Sequence, residues 1–228
     1  MAIGDSVTAG TNCNCTAFPN LYAKELAARY GIAAYVRNDG QGGETSADVL
    51  DDLRGDDAEQ ADIARADIVV VTIGANDFGS QYGAVSSGTC GGGDDLSCVD
   101  DDLGRLQDNL TGIVRQIHRL RAGAPTAVLL TGYWNVFEDG DVARRAMTKQ
   151  GLAESDTLSR ATNQVIERVA GDQQATYVDL YAAFKGADGG DDPTQLLADD
   201  GDHPNAAGHR LIAQALTEAS TAPLILGR

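Results

Sequence analysis

Ile68-Val69-Val70-Val71-Thr72-Ile73, followed at once by Gly74-Ala75-Asn76-Asp77, is the stretch on which the fold turns. Its first six residues are apolar apart from Thr72 and rich in β-branched side chains. A strand with one face in water alternates apolar and polar residues. This one does not alternate, so both faces must be covered. Such a strand belongs inside a parallel sheet with helices on either side.

Outward from this strand, helical and strand signals alternate. Pro19 stands near the start of a segment, Leu21 to Tyr30, that closes at Gly31, as helix-start and helix-stop preferences require. Ile32 to Val36 reads as a short strand. Thr45 to Leu53 reads as a helix with Thr45 as cap and Asp48 three positions later, a capping-box arrangement. Leu103, Leu106, Leu110, Ile113, Ile117 and Leu120 recur every three or four residues and line one face of a long helix. Thr126 to Leu130 is the next strand. Leu158, Ala161, Val165, Ile166 and Val169 mark another helix, and Thr176 to Leu180 another strand. Leu211, Ile212, Ala215, Leu216 and Ala219 define the last helix.

Strands spaced by helices of this length need crossover connections. The expected fold class is therefore α/β, a three-layer α/β/α sandwich with a mainly parallel central sheet. No composition break or internal repeat divides the chain, so residues 1–228 are expected to form one domain. Met1-Ala2-Ile3 runs straight into Gly4-Asp5-Ser6. A first strand this short suggests that an upstream segment, such as a secretory leader, has been cut away. Gly79 to Asp102 and Lys185 to Asp202 are long polar loops.

Charge narrows the partners. Asp and Glu total 34 against 17 Lys and Arg, for a net charge of -17. That surface repels nucleic acids and anionic membranes and keeps copies of the chain apart, so a monomer is expected. No apolar run is long enough to cross a bilayer.

Four cysteines are present. A bond between Cys90 and Cys98 would pin the glycine-rich stretch Thr89 to Ser97. Cys13 and Cys15 flank only Asn14, a spacing that would strain a direct bond, and the pairing stays open. Disulfides would place the protein outside the cell, with a cytoplasmic location as the alternative.

Neither a cofactor nor a metal is expected. Gly40 to Gly43 lacks the spacing of a dinucleotide fingerprint, and there is no phosphate-loop Lys-Ser or Lys-Thr pair. The acidic runs Asp94, Asp95, Asp100, Asp101, Asp102 and Asp188, Asp191, Asp192 do not follow the ordered calcium-loop pattern, and read as solvated loops.

In parallel α/β sheets, functional groups gather outside the carboxyl ends of the strands. Four segments lie there: Gly4-Asp5-Ser6, Asn38 to Glu44, Gly74 to Asp77, and Asp199 to Pro204. Ser6 is the candidate nucleophile, and a serine hydroxyl needs a base. The chain has three histidines. His118 and His209 fall inside amphipathic helices and read as surface or boundary residues. His203 lies in a polar turn before Pro204. Asp200, three residues earlier, can hold one ring nitrogen and leave the other as base. Asp199, four residues away, is the weaker alternative. Donors for a developing oxyanion are the Ser6 N–H, the Asn76 amide and the Gly43 N–H, with Gly42 as the alternative to Gly43. Tyr133, Trp134 and Phe137 follow a strand end and either wall an acyl or aryl pocket or pack in the core.

These blocks, in this order, resemble the SGNH hydrolases, also called GDSL esterases and lipases. Gly4-Asp5-Ser6 is similar to the family's first block. Asn38 to Thr45 is similar to its second, Gly74-Ala75-Asn76-Asp77 to its third, and Asp200-Gly201-Asp202-His203-Pro204 to its fifth. The resemblance implies a flavodoxin-like fold and a Ser6, His203, Asp200 triad with Ser6, Gly43 and Asn76 as the oxyanion hole. It implies hydrolysis of carboxylic esters through an acyl-enzyme. Short or medium acyl chains are favoured here, with carbohydrate O-acetyl esters, thioesters and phospholipids as alternatives and a non-catalytic binding protein as the rival class. Asp202 departs from the family, which often has an apolar residue there. It either adds surface charge or raises the basicity of His203.

Overall fold

The computed structural model describes residues 1–91 and 96–219. Its five strands are β1 (Ala2–Gly4), β2 (Asn38–Gly40), β3 (Ile68–Thr72), β4 (Ala127–Thr131) and β5 (Thr176–Val178). They pair in parallel in the order β2-β1-β3-β4-β5. Between them run α1 (Ser6–Ala9), α2 (Phe18–Tyr30), α3 (Ser46–Gly55), α4 (Asp57–Ile63) and α5 (Tyr82–Ser87). Further on come α6 (Asp100–Arg121), α7 (Gly140–Ala146), α8 (Lys149–Asp172), α9 (Leu180–Lys185) and α10 (Ala206–Glu218).

Burial follows the sequence pattern. Val69, Val70 and Val71 of β3 and Val128, Leu129 and Leu130 of β4 are all buried. Leu106, Leu110, Ile113 and Ile117 project from one face of α6 into the same core. Each such side chain contributes about 1.5–3 kcal/mol through loss of apolar surface to water. α2 packs on α10, while α3, α6 and α8 pack in a row, which sets helical layers on both sides of the sheet. Thr45 and Asp48 form the expected capping box at the start of α3. Gly31 closes α2 in a left-handed conformation.

The structure corrects the sequence reading at several points. Ile32 to Val36 is not a strand. Only Asn38, Asp39 and Gly40 find partners on β1, and Tyr35 is 94% exposed. The last strand stops at Val178 because Asp179 turns to cap α9, accepting from the Ala182 N–H at 2.9 Å. The stretch 79–102 holds α5 and the start of α6, and Asp94 and Asp95 lie outside the described residues. Cys13 is paired with Cys15 as well as Cys90 with Cys98, each pair having Cα atoms 5.1 Å apart. The close pair is possible because Asn12 and Asn14 take left-handed backbones, at φ 57° and 45°, that fold the chain back on itself. Among the described residues, no helix is long and apolar enough to cross a membrane.

The chain leaves β1 for β2 on one side and then crosses to β3 on the other. This reversal opens a crevice outside the carboxyl ends of β1 and β3, the place where such sheets bind ligands.

Candidate active site

Ser6 enters the crevice on a tight strand-to-helix turn. Gly4, at φ 131°, ends β1 so close to β3 that any side chain there would collide with the Thr72 carbonyl. Asp5 then caps α1, accepting from the Val7 N–H at 2.9 Å, and its other oxygen accepts from the Tyr133 hydroxyl. Ser6 is the first residue of α1 and is half-buried. Its N–H has no partner within the helix, as in any first turn. Its hydroxyl makes no hydrogen bond among the described residues.

Two further strand ends close around it. The loop after β2 carries Gly42, where a side chain would stand 3.9 Å from Ser6 Cβ, and Gly43, at φ 89°, facing open space. Neither glycine N–H is bonded to another described residue, so both are free to donate. Asn76 follows β3 and donates to the Glu44 carbonyl at 2.7 Å, which leaves its second amide hydrogen available. Asp77 accepts from the Ser46 N–H at 2.9 Å and from the Ser46 hydroxyl, and Asn109 braces that hydroxyl at 3.0 Å. The glycine loop and the Asn76 turn are thus fastened to each other.

The carboxylate–imidazole pair comes from the turn before α10. Ala198 N–H meets the His203 carbonyl at 2.8 Å, and Asn205 caps α10 through Ala207 and Gly208. Asp200 Oδ1 accepts from the N–H groups of Asp202 and His203 at 3.0 Å each. Its Oδ2 lies 2.8 Å from His203 Nδ1. A proton on Nδ1 leaves Nε2 with its lone pair, the arrangement a general base needs. Burial would push the Asp200 carboxyl up, but Asn12, the Asp202 N–H and both His203 donors hold it down at about 2. Asp200 is therefore an anion at any working pH. The segment that carries Ser6 is tied to this pair: Asn12 bonds Asp200, and Asp5 feels the charges of Asp202 and His203.

Asp202 Oδ2 stands 3.6 Å from His203 Nδ1 with its side chain 45% exposed. Partial burial pushes its carboxyl up to about 6, opposed by His203 and reinforced by Asp200 and Glu138. Tyr133 and Trp134 are buried. Tyr133 serves Asp5, and Trp134 stacks on Phe184 at 4.2 Å, so its fluorescence reports the core more than ligand entry. Phe137 meets Tyr82 edge-on at 5.1 Å, and Tyr82 neighbours Glu138 and Asp202. His118 is partly buried, with Nε2 3.0 Å from the Gln173 carbonyl. His209 is fully buried, contrary to the surface reading, because α10 packs on α2 and its Nδ1 accepts from the Phe18 N–H at 3.2 Å. Asp192, from one acidic run, is paired with Arg144 at 2.8 Å. An apolar cavity of about 420 Å³ lies at the opposite ends of β1 and β3, between Met1, Tyr22, Leu26 and Ile68, away from this chemistry.

Carboxylates shifted by burial, complete at Asp5 and partial at Glu44 and Glu59, set a pH dependence. Burial pushes Asp5, Glu44 and Glu59 each up to about 7, against ordinary values of 3.8, 4.5 and 4.5. The folded state then binds more protons than the unfolded chain between these limits, so stability falls as pH rises through that window. Asp200 and Asp192, both held at about 2, act in the opposite sense and lose their contribution as pH falls below about 4. Tm is expected to peak near pH ~4 and decline on both sides. Asp5→Asn should flatten the decline between pH 5 and 8. A calorimetric series showing Asp5→Asn with the wild-type slope would contradict this account of Asp5.

The family model for the GDSL-like lipase/acylhydrolase family matches residues 2–211. No curated protein matches the chain. Among solved structures, the lipase Lip_vut3 from a goat rumen metagenome superposes with a TM-score of 0.76 at 17% identity, over 98% of this chain and 97% of that one. Axe2, an acetylxylan esterase from Geobacillus stearothermophilus, superposes with a TM-score of 0.61 at 24% identity, over 94% and 90% of the two chains. At these identities the two likenesses establish a shared fold.

Proposed function

Because the chain belongs to the GDSL-like lipase/acylhydrolase family, and so is a carboxylic ester hydrolase, we propose that it works by two-step acyl transfer through Ser6, His203 and Asp200. The observation that carries this reading is the Asp200–His203 contact of 2.8 Å, in a turn that Asn12 ties to the Ser6 segment, with the Ser6 hydroxyl unbonded among the described residues. Ser6 attacks the ester carbonyl as His203 Nε2 takes its proton. The oxyanion meets the Ser6 N–H, the free hydrogen of the Asn76 amide, and an N–H of the glycine loop, Gly43 or Gly42. His203 then protonates the leaving alcohol. Water, deprotonated by the same nitrogen, releases the acid and restores Ser6. Asp200 keeps the proton on Nδ1 and stabilises the imidazolium while it lasts.

Short or medium acyl esters fit best. The surroundings of the base are polar, with Asp202 beside His203 and Glu138 and Tyr82 neighbouring Asp202, and they offer little to a long alkyl chain. The same polar groups favour a carbohydrate O-acetyl ester as the second reading, since sugar hydroxyls can pair with carboxylates and a phenol. Axe2, an acetylxylan esterase by its name, has the same fold, which is consistent with this second reading. A purely binding role would leave Ser6, Asn76 and His203 without joint purpose. Two disulfides in a chain of this size support an extracellular location.

A panel of aryl esters from acetyl to palmitoyl, together with acetylated xylo-oligosaccharides, tests the substrate class. Turnover confined to long chains would sink the short-acyl reading. On the same panel, Asn76→Ala should lower kcat by about 10²–10³-fold with little change in KM, because its donor matters once charge has developed on the oxygen. A raised KM at normal kcat would remove Asn76 from the oxyanion hole.

A further inference from the structure

The nucleophile's own loop reaches across the crevice to the acid. After α1 the chain doubles back at Gly10, and the Thr11 N–H returns to the Ser6 carbonyl at 3.0 Å. Asn12 follows in a left-handed backbone, φ 57°, a conformation asparagine tolerates better than most residues. Its amide donates to Asp200 Oδ2 at 2.6 Å, joining residues 188 apart in sequence. This is the oxygen that faces His203 Nδ1. The other bonds to the Asp200 carboxylate come from its own turn, so Asn12 is its tether to the rest of the crevice.

The loop is closed immediately afterwards. Cys13 and Cys15 are joined around Asn14. Their sulfurs and a ring nitrogen of buried His209 lie within 4.8 Å of one another. Bonded to each other, the sulfurs are not thiolates able to hold a metal. The cluster instead seats the loop against α10, the helix that begins just after His203.

Resting on the triad reading above, we propose that Asn12 is a positioning residue that fixes the Asp200 carboxylate for His203, and that the Cys13–Cys15 bond braces Asn12 there, so that a dithiol cleaving that bond slows turnover. Cleavage transfers two electrons and two protons from the dithiol, which becomes a disulfide, and leaves two cysteine thiols. No atom of the ester takes part. The effect is on alignment: a charge-assisted hydrogen bond to an anion has a narrow preferred geometry.

The test compares wild type, Ser6→Ala, Asn12→Gly, Asn12→Asp and the double variant Cys13→Ser/Cys15→Ser on p-nitrophenyl acetate. Rates are normalised to folded protein by circular dichroism. Asn12→Gly keeps the left-handed backbone and removes only the amide, while Asn12→Asp keeps the shape and sets a like charge beside Asp200. Turnover by Asn12→Gly should fall about ten-fold and by Asn12→Asp about a hundred-fold, with KM unchanged, the scale expected for misaligned catalytic groups. The far-downfield proton resonance of His203 Nδ1 should weaken in both. A merely structural residue would leave that signal in place. Wild type treated with dithiothreitol should drop to the level of the double variant, which should not respond further, and this separates Cys13–Cys15 from Cys90–Cys98. Wild-type kcat and an intact resonance in both Asn12 variants would overturn the positioning role. Wild-type kcat in the double variant would overturn the brace. Wild-type kcat in Ser6→Ala would instead bring down the triad reading itself.

Discussion

Ser6→Ala is expected to abolish ester turnover, with kcat falling by about 10⁴-fold or more, the usual cost of deleting a triad nucleophile. The substitution should leave the fold intact. Ser6 opens α1, its hydroxyl holds no hydrogen bond among the described residues, and alanine is a good helix former. Asp5, which does cap that helix, is untouched. Tm should therefore shift by no more than about 2 °C, as for a substitution that breaks no packing or hydrogen bond. A fluorophosphonate should label wild type at Ser6, found by peptide mass, and should not label the variant. Any turnover left in the variant would come from the oxyanion donors and substrate binding, which still favour attack by water. A folded Ser6→Ala protein with wild-type kcat would exclude the serine mechanism, and labelling at another serine would relocate it.

What was legible in the sequence divides by distance along the chain. The capping box of Thr45 and Asp48, the apolar stripe of α6 and the doubly buried β3 are encoded within a few turns or one strand, so local pattern reveals them. Asp200 and His203 share one turn, and their spacing alone brings carboxylate to imidazole. Contacts made by packing were not legible. His209 looks like a helix-surface residue until α2 presents the Phe18 N–H to its ring, from 191 residues away. Tyr133 looks like a pocket aromatic until its hydroxyl meets Asp5, 128 residues earlier. Asn12 carries no signal beyond its place among cysteines, since its meaning depends on where Asp200 falls in space. Ile32 to Val36 misled for the opposite reason. Apolar residues were present, but the ladder on β1 accommodates only Asn38 to Gly40.

The contrast between Asp200→Asn and Asp202→Asn should show which carboxylate orients the base. Both residues stand near His203 Nδ1, at 2.8 and 3.6 Å. Only Asp200 is fixed: four donors converge on it, from Asn12, from the backbone of Asp202 and His203, and from the ring itself. Asparagine at 200 has nearly the same shape, but it can turn an N–H toward Nδ1. The ring then prefers its proton on Nε2, and the nitrogen proposed to take the Ser6 proton can no longer accept. A loss of about 10⁴-fold in kcat is expected, with the fold retained, because the wrong tautomer disables the base rather than removing it. Asp202 is half exposed and its carboxyl titrates near 6, so above that pH it adds a second negative charge beside His203. Neutralising it makes the imidazolium less favourable. Asp202→Asn should keep kcat within about ten-fold of wild type and move the acid limb of the pH–rate profile to lower pH. A fall in Asp202→Asn as deep as that in Asp200→Asn would mean that the two carboxylates share the orienting role. An unmoved acid limb would mean that Asp202 contributes charge to the surface and none to the base.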